Sequence, residues 1–156
     1  MTKAPKIIAV IGGRECSDEQ YEIALEVGRL IAENRGILVC GGRSGIMEAA
    51  CRGAAEAGGI TVGILPGDDI RDANPWVTVP IATGIGLARN AIIARSATAA
   101  IAVGGSYGTL SEIAYCKQFG VPVVSIGSWD IAEMPSVKTA EEAVRFVLRE
   151  RDASPC

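Results

Sequence analysis

At 156 residues and a net charge of −3, the chain is long enough to bury a core as one domain and carries no basic footprint for nucleic acid. It has no histidine, which excludes Ser-His-Asp and Cys-His catalysis, histidine metal sites and histidine pH switching. Although 49% of the residues are apolar, only 4% are aromatic, so the core must be built from Ala, Val, Ile and Leu.

The first apolar run, residues 6–11, reads as a strand that ends in Gly12, Gly13 and Arg14. It is too short for a signal peptide, and no later run is long enough to span a bilayer, so a cytoplasmic protein without a membrane partner is expected. Ser17 to Gln20 form a capping-box pattern opening a helix to about residue 34, with Ile23, Val27, Leu30 and Ile31 on its apolar face. A second strand at 37–40 closes in Gly41, Gly42, Arg43, Ser44 and Gly45. An alanine-rich helix follows to about residue 57, and then a third strand at 60–65. Residues 68–84 are irregular, with a short strand possible at 77–79 and with Asn74, Pro75 and Trp76 as candidates for a lid or pocket wall. A helix at about 87–97 carries Arg89 and Asn90, and its adjacent Ile92 and Ile93 imply burial on nearly all sides, as at a subunit interface. A fourth strand at 100–103 runs into Gly104, Gly105, Ser106, Tyr107, Gly108 and Thr109, and a helix opened by Thr109 continues to Phe119. A fifth strand at 121–126, a helix at 139–149 and a tail at 151–156 complete the chain. Cys16, Cys40, Cys51, Cys116 and Cys156 are odd in number and form no CxxC pair, which reads as reduced core residues and no metal site.

Strands alternating with helices imply an α/β fold, a Rossmann-like doubly wound parallel sheet with helices on both faces. It is expected to be one domain over residues 1–156, with a core at 6–150. Right-handed crossovers favour the order 3-2-1-4-5 through these strands. In that order the glycine pairs 12–13, 41–42 and 104–105 meet at one crevice, at the carboxyl ends of neighbouring strands.

The segment 104–109 has a plain reading as a tight strand-to-helix turn, but three glycines in five positions favour an anion held at a helix start, most often phosphate. Ser106 and Thr109 would add hydroxyls. The spacing matches neither GxGxxG nor the P-loop pattern. Glu112 completes another capping-box pattern with Thr109, and it also suits a carboxylate at the crevice mouth; the two readings stand level on spacing alone. Arg89 lies in the first turn of its helix, where a cation opposes the dipole, so an anion or Glu112 should compensate it. Arg43 and Ser44 could contact an anion at the next helix start, or could mark close packing at Gly41, Gly42 and Gly45.

With these residues quoted, a family resemblance can be stated. GGSYGTLSE resembles the PGGxGTxxE signature of the misnamed lysine decarboxylase-like family, whose members include the cytokinin-activating phosphoribohydrolases. ILPG, ANPWVTVPIATGIGLARN and VGGSYGTLSEIA together resemble the molybdenum cofactor carrier proteins of the same SLOG superfamily, which is related to DNA-processing protein A. The resemblance covers about residues 6–150. It implies a homodimeric or homotetrameric carrier of molybdenum cofactor (molybdopterin), bound mainly through the cofactor's phosphate and pterin with no metal ligand from the protein. The alternatives it implies are a nucleoside 5′-monophosphate phosphoribohydrolase, with Arg89 and Glu112 as the catalytic pair, or a nucleotide-sensing module. Asn90 stands where the hydrolases have lysine, Gly104 where their signature has proline, and Ser106 at its second glycine. The glycine loops, the predicted positions and the resemblance together give the candidate ligand set Gly12, Gly13, Gly41, Gly42, Arg43, Ser44, Gly45, Arg89, Asn90, Gly104, Gly105, Ser106, Tyr107, Gly108, Thr109 and Glu112.

Overall fold

The structure, a computed structural model, describes residues 4–149. The expected tail at 151–156 lies outside the described residues. Seven parallel strands form one sheet: β1 (Ile7–Gly12), β2 (Ile37–Cys40), β3 (Ile60–Leu65), β4 (Val79–Ala82), β5 (Ala99–Val103), β6 (Val123–Ile126) and β7 (Ser136–Val137). Their order is β4-β3-β2-β1-β5-β6-β7. The expected five-strand order is its centre, and the chain reverses direction of travel between β1 and β5. β5, Ala-Ala-Ile-Ala-Val, is buried at every position, as a strand covered on both faces must be.

Five helices cover the sheet. α1 (Asp18–Glu33), α2 (Ile46–Glu56) and α5 (Ala140–Arg149) pack on one face, where Val27, Ala50 and Val144 meet Ile8, Leu38 and Ile101. α3 (Arg89–Ser96) and α4 (Tyr107–Phe119) pack on the other, where Ile93 and Ile113 meet Ala9, Val39 and Ala102. The small strand alanines let helices approach the sheet closely, which is how a core with few aromatics reaches native density.

Several boundaries differ from the sequence reading. The short strand falls at Val79–Ala82 rather than 77–79, because Asn74 folds residues 74–77 into a turn: its Oδ1 accepts from Trp76 N at 3.0 Å and its carbonyl from Val77 N at 3.2 Å. Pro80 is tolerated there because β4 is an edge strand. β7, the opposite edge, is two residues long and has no periodic signal. α4 begins at Tyr107, two residues before Thr109. α3 is preceded by a 3-10 turn, Gly86–Ala88, and its outer face is open: Ile92 and Arg95 are exposed, so the helix is not buried all round within one chain.

Candidate anion-binding crevice

The carboxyl ends of β2, β1 and β5 stand side by side, so the loops that follow them face one crevice. Its innermost compartment, about 90 Å³, is lined by Gly12, Gly13, Arg14, Met47, Leu87, Arg89, Asn90, Ser106, Gly108, Thr109 and Glu112. Gly13, Arg14 and Ser106 also line a larger cleft of about 590 Å³, joined there by Glu15, Gln20, Ser44 and Gly105.

Arg89, the first residue of α3, is 6% exposed. Its Nε and Nη1 are buried without a hydrogen-bond partner. The guanidinium lies against Gly41, where a Cβ would overlap it, so the glycine that ends β2 is what makes room for the cation. Burial holds the Arg89 pKa below its ordinary value; Glu112 and Cys40 oppose that shift, while Arg43 and Arg14 add to it. Among the described residues no ion pair joins Arg89 to Glu112. Glu112 therefore acts on Arg89 through charge at a distance, without a contact ion pair.

Glu112 is the sixth residue of α4 and 6% exposed, so it caps nothing. The capping-box reading of Thr109 and Glu112 fails because the glycine turn starts the helix early: Gly105 has φ +112, and Ser106 becomes the N-cap, with no side-chain cap bond. A Cβ at Gly105 would also overlap the Thr109 side chain. Gly108, in contrast, has an ordinary backbone and open space around it, so it is not needed for the turn. Thr109 is 1% exposed, and its Oγ1 is buried without a partner. Burial pushes the Glu112 carboxyl up to about 8, although the Arg89 guanidinium pulls it down. Burial thus favours the protonated form of Glu112. What remains in the compartment is a desolvated cation and an unpaired hydroxyl beside the positive end of α4. Such a set of donors suits a tetrahedral oxyanion.

The other expected residues divide. Gly12, Gly13, Asn90, Ser106 and Gly108 line the inner compartment, and Ser44 and Gly105 the larger cleft. Asn90 Nδ2 donates to Ser111 Oγ at 3.0 Å, and Ser111 Oγ donates to Gly108 O at 2.6 Å, so the amide ties α3 to the glycine loop. Gly41, Gly42, Arg43 and Gly45 line neither compartment. Asn74 pins Gly42 and Arg43 as a staple rather than a lid, its N donating to Gly42 O and its Nδ2 to Arg43 O, each at 2.9 Å. The charge of Arg43 reaches the site, where it lowers the Arg89 pKa. Gly104 and Tyr107 line neither compartment. Arg14, Glu15, Gln20, Met47 and Leu87 were missed by the sequence reading. Arg14 had a signal, since it follows a Gly-Gly pair as Arg43 does; Gln20 was masked by its capping role, which the structure contains. Among the described residues no group of His, Cys, Asp and Glu is placed to hold a metal ion, and no helix is long and apolar enough to cross a membrane.

Comparison with known proteins adds to this geometry. The SLOG cluster4 family model matches residues 5–153. An uncharacterized protein of Archaeoglobus fulgidus is 46% identical over 90% of this chain and 93% of its own length. The molybdenum cofactor binding protein of Rippkaea orientalis superposes with a TM-score of 0.90 at 31% identity, over 96% of this chain and 99% of its own. The molybdenum cofactor carrier protein of Chlamydomonas reinhardtii does so with a TM-score of 0.87 at 34% identity, over the same shares. DNA processing protein A of Streptococcus pneumoniae, at 22% identity, a TM-score of 0.71, and 90% of this chain but 61% of its own, shares the fold alone.

Proposed function

As this chain belongs to the SLOG cluster4 family, we propose that it binds and carries a phosphate-bearing cofactor, the molybdenum cofactor, in the crevice. One observation carries the reading: Arg89 Nε, Arg89 Nη1 and Thr109 Oγ1 are buried without partners, and both residues line a single small compartment. A terminal phosphate would satisfy all three donors and neutralise the cation. The rest of the cofactor would extend outward through the larger cleft, and the metal, held by the cofactor's own dithiolene, would need no ligand from this chain. The named binding and carrier functions of two structural relatives support this choice of cargo.

The test is to mix the purified protein with molybdopterin and follow its retention on a sizing column and its loss to air oxidation. Retention and protection are expected, and both should disappear in Arg89→Met. A protein that neither retains nor protects the cofactor overturns the reading. A second reading, phosphoribohydrolase activity on nucleoside 5′-monophosphates, is favoured by Arg89 and Glu112 facing the same compartment. Release of adenine from AMP, lost in Glu112→Ala, would establish it.

The carrier reading extends to a homodimer or homotetramer. Supporting it, Val79 and Ile81 of β4, Ile85 and Leu87 before α3, and Ile92 on α3 are all exposed. Val79 and Ile81 pair with Val62 and Ile64, which face the α3 side of the sheet, so these apolar groups share one side of the molecule.

A further inference from the structure

The crevice continues past the phosphate loop. A third cleft, about 400 Å³, is lined by Gln20, Gly104, Gly105, Ser128, Trp129 and Asp130, among others, and shares Gln20 and Gly105 with the cleft of about 590 Å³. It lies beyond the carboxyl ends of β5 and β6, so the three spaces follow one another along the sheet edge. Tyr107 is 80% exposed, and its ring lies 5.9 Å from that of Trp129, inclined by 34°. Most of the Tyr107 ring is open to a ligand, its contact with Trp129 aside. Trp129 is fixed to the phosphate loop, since its Nε1 donates to Ser106 O at 3.1 Å. Ser128 Oγ is buried beside it without a partner.

We propose that Tyr107 and Trp129 form the platform on which a planar nitrogen heterocycle of the ligand stacks, with Ser128 and Asp130 meeting its polar edge. The proposal rests on the reading that the phosphate sits at Arg89 and Thr109. A flat π-face accounts for the two rings, and ring nitrogens account for the unpaired hydroxyl and the neighbouring carboxylate. The ligand class is a phosphate joined through a polar spacer to a bicyclic heterocycle. Pterins and purines share that chemistry.

The test uses the Trp76→Phe protein, in which Trp129 is the sole tryptophan of the original two. Trp129 emission is followed on titration with a side-chain-phosphorylated pterin and, separately, with AMP, while inorganic phosphate is titrated by calorimetry. Saturable quenching by a ring-bearing ligand and none by inorganic phosphate is expected, and the tighter arm identifies the ring. Tyr107→Ala, at an exposed position that does not threaten folding, should weaken the ring-bearing ligand about tenfold and leave inorganic phosphate unchanged. Unchanged affinity in that variant, or an unquenched Trp129, overturns the platform. If inorganic phosphate fails to bind, the phosphate reading falls and the platform is judged with unphosphorylated pterin and adenosine: quenching abolished by Tyr107→Ala supports it, and no quenching overturns it.

Discussion

Arg89 is the residue at which folding and function pull apart. Its Nε and Nη1 are buried without a partner, so the free protein carries a charge it would be more stable without. Arg89→Met keeps the volume and removes the charge. It should raise the unfolding free energy by about 1–2 kcal/mol in urea titrations and weaken phosphate binding at least about tenfold. A less stable variant would mean that the cation has a partner in the fold. Glu112 gives a second, independent readout. Its carboxyl is shifted from 4.5 to about 8, so between those pH values the unfolded chain releases a proton that the folded chain keeps. Stability is then fullest below pH 4.5, falls as pH rises through the window, and levels off above 8, the total loss being at most about 5 kcal/mol. Glu112→Gln should flatten that slope, measured as urea midpoints at pH 5 and pH 8. The sequence revealed Arg89 as a misplaced cation at a helix start, and that signal was physical. It could not reveal Glu112's burial, because the residue's spacing from Thr109 imitates a cap.

Three Ser/Thr-x-x-Glu/Gln patterns show how an element decides what its residues do. At α1 the pattern is a complete capping box: Ser17 Oγ accepts from Gln20 N at 3.2 Å, and Gln20 Oε1 accepts from Ser17 N at 3.1 Å. At α5 it is half of one, since Thr139 Oγ1 accepts from Glu142 N but Glu142 Oε2 accepts from Lys138 N. In α4 the same spacing lies inside the helix and caps nothing. Ser17→Ala should therefore cost about 1 kcal/mol in unfolding free energy. Thr109→Val should leave stability unchanged or raised, because it removes an unpaired buried hydroxyl, and should weaken phosphate binding. The difference traces to the glycine turn at Gly105, whose positive φ admits the helix two residues early. Spacing alone carries no record of that turn. The element pairing between α3 and α4 was equally hidden. Asn90 reaching Ser111, and Arg95 lying 3.9 Å over the Phe119 ring, are contacts between helices that sequence order does not announce.

For the molecule as a whole, the central strand order was legible because alternating strands and helices with right-handed crossovers leave few arrangements. The edges were not. β4 contains a proline and β7 only two residues, and both depend on a neighbouring strand for their existence. One edge bears on assembly. Leu87, 76% exposed, and Ile81 mark the open apolar side, so Leu87→Asp and Ile81→Asp should convert the proposed oligomer to monomers in light scattering without loss of fold. A wild-type monomer would refute that arrangement. The unpaired cation behind Gly41 has a consequence at this scale too. A ligand that binds only the folded chain stabilises it, by about 2.7 kcal/mol at 100 times its dissociation constant. Digestion by a protease that attacks the opened chain should therefore slow roughly 100-fold at that phosphate concentration in the wild type and hardly at all in Arg89→Met. On the proposed carrier reading, occupancy would become a matter of lifetime: a loaded protein would outlast an empty one, and the amount of chain that survives would follow the supply of its ligand.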